Sequence, residues 1–256
     1  MKLGNIMGIF DVAQLTLYAF YIFFIGLIWY LRNEDRREGY PLISEPSNTS
    51  KNPGFLYIPP PKVFRMADGS RISAPDLARA DNRDHKMVKA EVWPGAPNVP
   101  VGDPMLAGVG PGSWAERSDK PDLMHGTPKI VPLRVATDFY IERKEPDPRG
   151  FDVAGADGVH AGTVVDVWVD RMEVILRYLE VELAGSGRRV LLPINFSRIV
   201  KNRGLVKVNA ILSGQFAGVP ATAGADQVSL LEEDKICAYY GAGTLYAEPS
   251  RSEPLL

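Results

Sequence analysis

The sequence predicts a mainly β protein with one N-terminal transmembrane helix, an extended arm, and an antiparallel β-barrel with a C-terminal helix. Three observations predict it. They are a long uncharged apolar run, a Pro- and Gly-rich stretch of about a hundred residues after it, and a series of short alternating segments from about Val159.

The first element is Val12 to Leu31, 20 positions without a charged side chain. As a helix it spans roughly 30 Å, the thickness of a bilayer's hydrocarbon core. Eleven of its residues are Leu, Ile, Phe or Val, and only Gln14 and Thr16 clearly oppose insertion. At about 0.3–0.6 kcal/mol each, the eleven favour the membrane by roughly 3–6 kcal/mol. The run is too long for a signal-peptide core, and no small-x-small cleavage site follows it. Trp29 and Tyr30 suit the interface. Arg32, Arg36 and Arg37 follow, against Lys2 alone before the run, so the positive-inside rule puts the N-terminus outside and the bulk of the chain in the cytoplasm. One helix cannot enclose a pathway, which excludes a channel or transporter. The Gly4-x-x-x-Gly8 pair precedes the run and is a weak helix-dimer signal.

The second element, from Arg32 to about Pro132, is poor in periodic apolar residues. Pro59-Pro60-Pro61 favours polyproline geometry, and Gly110-Pro111-Gly112 is a further breaker. A loop-like stretch this long is either disordered or laid over a partner. Phe55, Phe64, Trp93 and Trp114 favour the partner, since disordered segments are poor in aromatics.

The third element is the strand series. Thr163 to Asp170 puts Val165, Val167 and Val169 on one face and Asp166, Trp168 and Asp170 on the other. Val174–Leu183, Arg189–Phe196 and Leu205–Leu212 supply more strands, with Gly185-Ser-Gly187 as a turn. Closely spaced short strands with tight turns point to a small barrel. A helix from Glu232 to about Tyr246 follows, its acids suiting the positive helix start. The domain organisation is thus 1–11 outside, 12–31 in the membrane, 32–132 as the arm, and 133–256 as the barrel domain with its helix.

The net charge is −2, with Lys and Arg spread along the chain, so nucleic acid is not an expected partner. The single Cys237 rules out an internal disulfide and fits a reducing compartment. His85, His125 and His160 are far apart, and no metal-ligand spacing, nucleophile elbow, phosphate loop or dinucleotide fingerprint is present. Gly108 to Gly112 reads as a tight loop. The most suggestive polar group is Asp166, Asp170 and Glu173 around the turn after Thr163–Asp170. Clustered carboxylates can pass protons; a solvated hairpin with surface acids is the plainer reading of the same pattern. His125 likewise suits either proton exchange or an ordinary surface position.

Arg32-Asn-Glu-Asp-Arg-Arg-Glu-Gly-Tyr-Pro-Leu42, directly after the apolar run, resembles the H subunit of the purple-bacterial photosynthetic reaction centre. The resemblance continues through Gly102-Asp-Pro-Met105, Lys129-Ile-Val-Pro-Leu133, Asp147-Pro-Arg-Gly150, Ala161 to Asp170, Arg177 to Glu182, Val208 to Leu212 and Leu231 to Lys235. It implies a PRC-type barrel in the cytoplasm and anchorage in the bacterial inner, intracytoplasmic membrane. It also implies a non-catalytic role: capping the cytoplasmic face of the L and M subunits, stabilising the quinone region and conducting protons to the secondary quinone. Bacteriochlorophyll, bacteriopheophytin, quinones and non-haem iron would sit on L and M, with no cofactor or metal bound by this chain. Light-harvesting ring subunits, a cytochrome subunit and membrane lipid are further implied neighbours. In position and context Asp170 and Glu173 match the family's proton-pathway acids, with Asp166 as their polar neighbour, and His125 matches a surface proton-entry histidine. As a departure, Asp122 to Pro128 holds one histidine where some relatives have two, and Met124 stands where an acid can occur. The competing readings are a membrane-tethered barrel module that recruits a cytoplasmic protein or RNA, and a membrane-anchored enzyme.

Overall fold

The structure, a computed structural model, describes residues 5–6, 10–51, 54–76, 78 and 81–252. Much of the 1–11 tip, including Gly4 and Gly8, and the last four residues lie outside the described residues. The chain divides into two compact units, one of residues 1–82 with 93–95, the other of 83–92 with 96–256. The segment read as an arm therefore contributes to both.

In the first unit, helix α1 (Val12–Glu34) contains the whole apolar run and three residues beyond it. It is long and apolar enough to cross a bilayer. Its two opposing polar groups are bonded within the helix. Gln14 Nε2 donates to Tyr18 Oη at 2.9 Å and Thr16 Oγ1 to the Val12 carbonyl at 2.9 Å, which lowers the cost of holding them in hydrocarbon. At the far end the buried Asn33 accepts the Tyr57 N–H at 3.1 Å, and the Trp29 and Tyr57 rings lie 5.9 Å apart. Arg37 donates to the Pro60 carbonyl, and Lys62 pairs with Glu34 at 2.7 Å. The proline run is thus tied back onto the helix end. Two short hairpins follow, Leu42–Ser44 with Thr49–Lys51 and Lys62–Arg65 with Arg71–Ala74.

The second unit holds the core. Its strands are β1 (Ile130–Pro132), β2 (Asp152–Ala154), β3 (His160–Asp170), β4 (Ile175–Leu183), β5 (Arg189–Pro193), β6 (Ser197–Val200) and β7 (Leu205–Val208). They form one sheet in the order β5-β4-β3-β2-β7-β6, with β1 also on β3. Every pairing is antiparallel except β2 with β7. The sheet is open, as no ladder joins β5 to β6 among the described residues.

The simple alternation expected along β3 does not hold. Register shifts between Val164 and Asp166 and between Trp168 and Val169 break the period. Val167, Trp168, Val169 and Asp170 are buried in succession, so both faces of this central strand are covered. Asp166 and Asp170 are correspondingly buried, which overturns the reading of them as surface hairpin acids.

Helix α2 (Leu230–Tyr246) begins at a capping box in which Ser229 Oγ accepts the Glu232 N–H and Glu232 accepts the Ser229 N–H. It buries Ile236, Tyr239 and Tyr240 against the sheet side of the core. The glycine-dense loop does more than turn. Gly110–Gly112 forms a single 3-10 turn against α2, so close that a Cβ on Gly241 would meet the Pro111 carbonyl oxygen at 2.4 Å.

Candidate functional site

The acids singled out from sequence fall into two groups with separate partners. At the C-terminal end of β3, Asp170 is fully buried. Its Oδ1 accepts the backbone N–H groups of Met172 and Glu173 at 3.0 Å each, which forms the tight turn into β4. Its Oδ2 lies 3.3 Å from Lys129 Nζ in an ion pair without hydrogen-bond alignment, and is left as a buried oxygen with no hydrogen bond among the described residues. The same ammonium stands 3.8 Å from exposed Glu173 and 3.4 Å from Asp122. Burial works to lower the proton affinity of Lys129, but Asp170 and Asp122 outweigh it and hold the ammonium above its ordinary value.

Lys129 is placed by two backbones. Its N–H donates to the Asp122 carbonyl at 2.8 Å, and its own carbonyl accepts the Arg171 N–H at 3.1 Å. Asp122 and Lys129 bracket a hairpin, Leu123–Met124 with Thr127–Pro128, whose two-residue tip is His125-Gly126. Both tip residues have positive φ, 50° and 82°, the geometry of a primed hairpin turn. His125 is exposed there and makes no hydrogen bond or ion pair among the described residues. It stands at the outer end of the hairpin that carries Lys129, and not against Asp170 or Glu173.

Asp166 belongs to the other group. Arg134 donates to its Oδ2 at 3.0 Å through the guanidinium and at 3.3 Å through the backbone, and Val167 donates to its Oδ1. Arg134 also reaches Glu180 and Asp226, and Glu180 accepts Trp168 Nε1 at 3.0 Å and Arg189 at 3.3 Å. Burial works to lower the proton affinity of the Arg134 guanidinium, but Glu180, Asp166 and Asp226 outweigh it and hold it above its ordinary value. Every oxygen of Asp166 is thus engaged in a structural pin, whereas one oxygen of Asp170 is met by the Lys129 ammonium alone.

Sequence reasoning missed Lys129 as a site residue. The available signal was a cation placed directly before the wholly apolar run Ile130 to Leu133, which forces its stem toward the core. It also missed Glu233, read only as a helix-start acid. Glu233 accepts the buried Tyr178 hydroxyl at 2.8 Å and lies 4.0 Å from Arg177. Burial raises its proton affinity, opposed by the Tyr178 hydrogen bond and by Arg177 and Lys129.

No group of three or more His, Cys, Asp or Glu side chains suited to a metal ion occurs among the described residues. Residues 4–135, a little over half of the chain, match the family model for the photosynthetic reaction centre H-chain N-terminal region. The chain belongs to the reaction-centre H-chain family. Residues 142–212 match the PRC-barrel domain as well, and cover the sheet from β2 to just past β7. Membership makes this a structural subunit of a photochemical complex. It implies association with the membrane, for which α1 fits a single-pass anchor, and with the L and M subunits that carry the complex's cofactors.

Proposed function

We propose that the chain caps the cytoplasmic face of the L and M subunits, steadies the quinone region, and conducts protons to the secondary quinone through Glu173 and Asp170. Adding a second electron to a quinone in an apolar site creates charge that is costly without a proton. A relay needs an exposed group that collects the proton and a buried one that passes it on. Glu173 is exposed, Asp170 is fully buried, and Lys129 stands within 4 Å of both. The observation that carries the reading is the shared ammonium: the fully buried Asp170 Oδ2 meets Lys129 at 3.3 Å, and the same Lys129 stands 3.8 Å from exposed Glu173, so a buried and an exposed carboxylate are bridged by one cation. His125 enters the proposal as a collecting group at the hairpin tip, and Asp166 as a neighbour that fixes β3 without carrying the proton.

We infer further that the open sheet is wrapped as a barrel whose two edges, β5 and β6, are joined by the chain rather than by a ladder, since they are consecutive and linked only by the 3-10 turn Ile194–Phe196. The N-terminus lies outside and the second unit in the cytoplasm, supported by Arg32, Arg36 and Arg37 at the end of α1.

Glu173→Gln keeps shape and removes the titrating group. It is expected to slow proton-coupled second electron transfer by about tenfold or more, with pigment content and the first charge separation unchanged. Asp170→Asn should act similarly, and the double change should be non-additive. Normal second-transfer kinetics in the double variant across neutral and alkaline pH would reject the route.

A further inference from the structure

We propose that a cleft beside strands β6 and β7 binds a phosphate-type oxyanion, a site separate from the proton route. The first observation is in the chain itself. Between Glu182 and Asp226 there is no acidic residue, yet six cations occur: Arg188, Arg189, Arg198, Lys201, Arg203 and Lys207. In a chain of net charge −2 this is a strong local excess.

The structure then sorts the six. Arg189 pairs with Glu180 and Glu182, and Arg188 donates to the carbonyls of Ala217 and Val219. The other four all lie on the β6–β7 hairpin, are exposed, and have no ion-pair partner among the described residues. Arg198 and Lys207 are direct cross-strand partners in the β6–β7 register. Like charges directly opposite in a sheet repel, with Cβ atoms only about 5 Å apart. A single bound anion would turn that repulsion into two attractions.

The pair also lines a concavity. Arg198 and Lys207 border an open cleft of about 420 Å³, whose other walls include Asn195, Ser197, Asn209 and Thr244. That volume suits a small ligand. The wall behind them is fixed by Arg251, whose guanidinium donates to the carbonyls of Asn209, Ala210 and Gly243 and pairs with Glu248 at 3.1 Å. Arg251 is thus spent on structure, and Arg198 and Lys207 are the cations available to a ligand. A guanidinium offers a planar fork to phosphate oxygens, an ammonium a point charge, and neutral amide and hydroxyl groups complete the shell. The phosphate could come from a soluble compound or from a phospholipid headgroup.

The test uses the purified pigment complex with the full-length chain and radiolabelled inorganic pyrophosphate in equilibrium dialysis. One saturable site per chain is expected. Arg198→Gln with Lys207→Gln should weaken it by about tenfold or more, with pigment absorption unchanged and thermal stability not lowered, since the cross-strand repulsion is removed. Each single change alone should weaken it measurably. Lys201→Gln with Arg203→Gln, outside the cleft, should alter it by no more than about twofold. Absence of saturable binding would overturn the proposal, as would binding unaffected by the first pair or weakened equally by both pairs. Nanodiscs separate the sources. Weaker pyrophosphate binding in phosphatidylglycerol than in phosphatidylcholine discs identifies a headgroup site, and equal binding identifies a soluble phosphate.

Discussion

Tyr178 and Glu233 show how one hydrogen bond can set a pH dependence. Burial pushes the Glu233 carboxyl above its ordinary value of 4.5, and the Tyr178 hydroxyl partly offsets this by donating to it. A raised value means that the carboxyl's proton stabilises the fold fully below the ordinary value, and that this contribution is lost as pH rises through the raised one. Tyr178→Phe deletes the donor. At acid pH the loss is a neutral hydrogen bond of about 1 kcal/mol; at alkaline pH it is a bond to a charge, about 1.5–3 kcal/mol. The stability gap between Tyr178→Phe and the parent complex, read from thermal unfolding, should therefore widen from pH 4 to pH 8. A gap that narrows would mean that Glu233 draws its support elsewhere. At Lys129 the balance is different, because one ammonium serves three carboxylates and only Asp170 among them is fully buried.

Helix α2 and the Gly110–Gly112 turn make an element contact so close that a single added side chain would break it. Gly241→Ala gains about 1 kcal/mol of helix propensity, but places a Cβ 2.4 Å from a backbone oxygen of Pro111. Backbone cannot move aside as a flexible side chain can, so a net loss of about 1–3 kcal/mol is expected in chemical denaturation. An unchanged midpoint would show that the turn is free to shift. This contact also marks where sequence reading stops. Strands β3, β4, β5 and β7, the end of α2 and the apolar run of α1 were legible from composition and local pattern, whereas β1, β2 and β6, of three or four residues each, are too short to show a period. The glycine-dense loop looked like a turn, since nothing local says that glycine serves a helix some 130 positions on. The acids of β3 were legible as a group, but their separation was not. Two register shifts give Asp166 to Arg134 and Asp170 to Lys129, and a bulge leaves no periodic trace. The three acids of α2 likewise read as one dipole feature, yet Glu232 caps the helix, Glu233 holds Tyr178, and Asp234 accepts the Ala115 N–H.

For the whole molecule, the proposed orientation predicts a protection pattern. Protease added to inside-out vesicles should digest the bulk of the chain beyond α1, while right-side-out vesicles should protect it. Protection of residues 133–252 in the inside-out preparation would reverse the topology. The order of the sheet has a consequence for synthesis as well. Strand β2 takes its parallel partner from β7, about fifty residues later, with four other strands between. At roughly 5–20 residues per second, the ribosome needs about 3–10 s to deliver that partner. Throughout that interval α1 has already left the exit tunnel, while β2 presents an open edge. The nascent domain therefore waits half-built, with one edge of β2 unpaired, while the anchor segment is already available to the membrane.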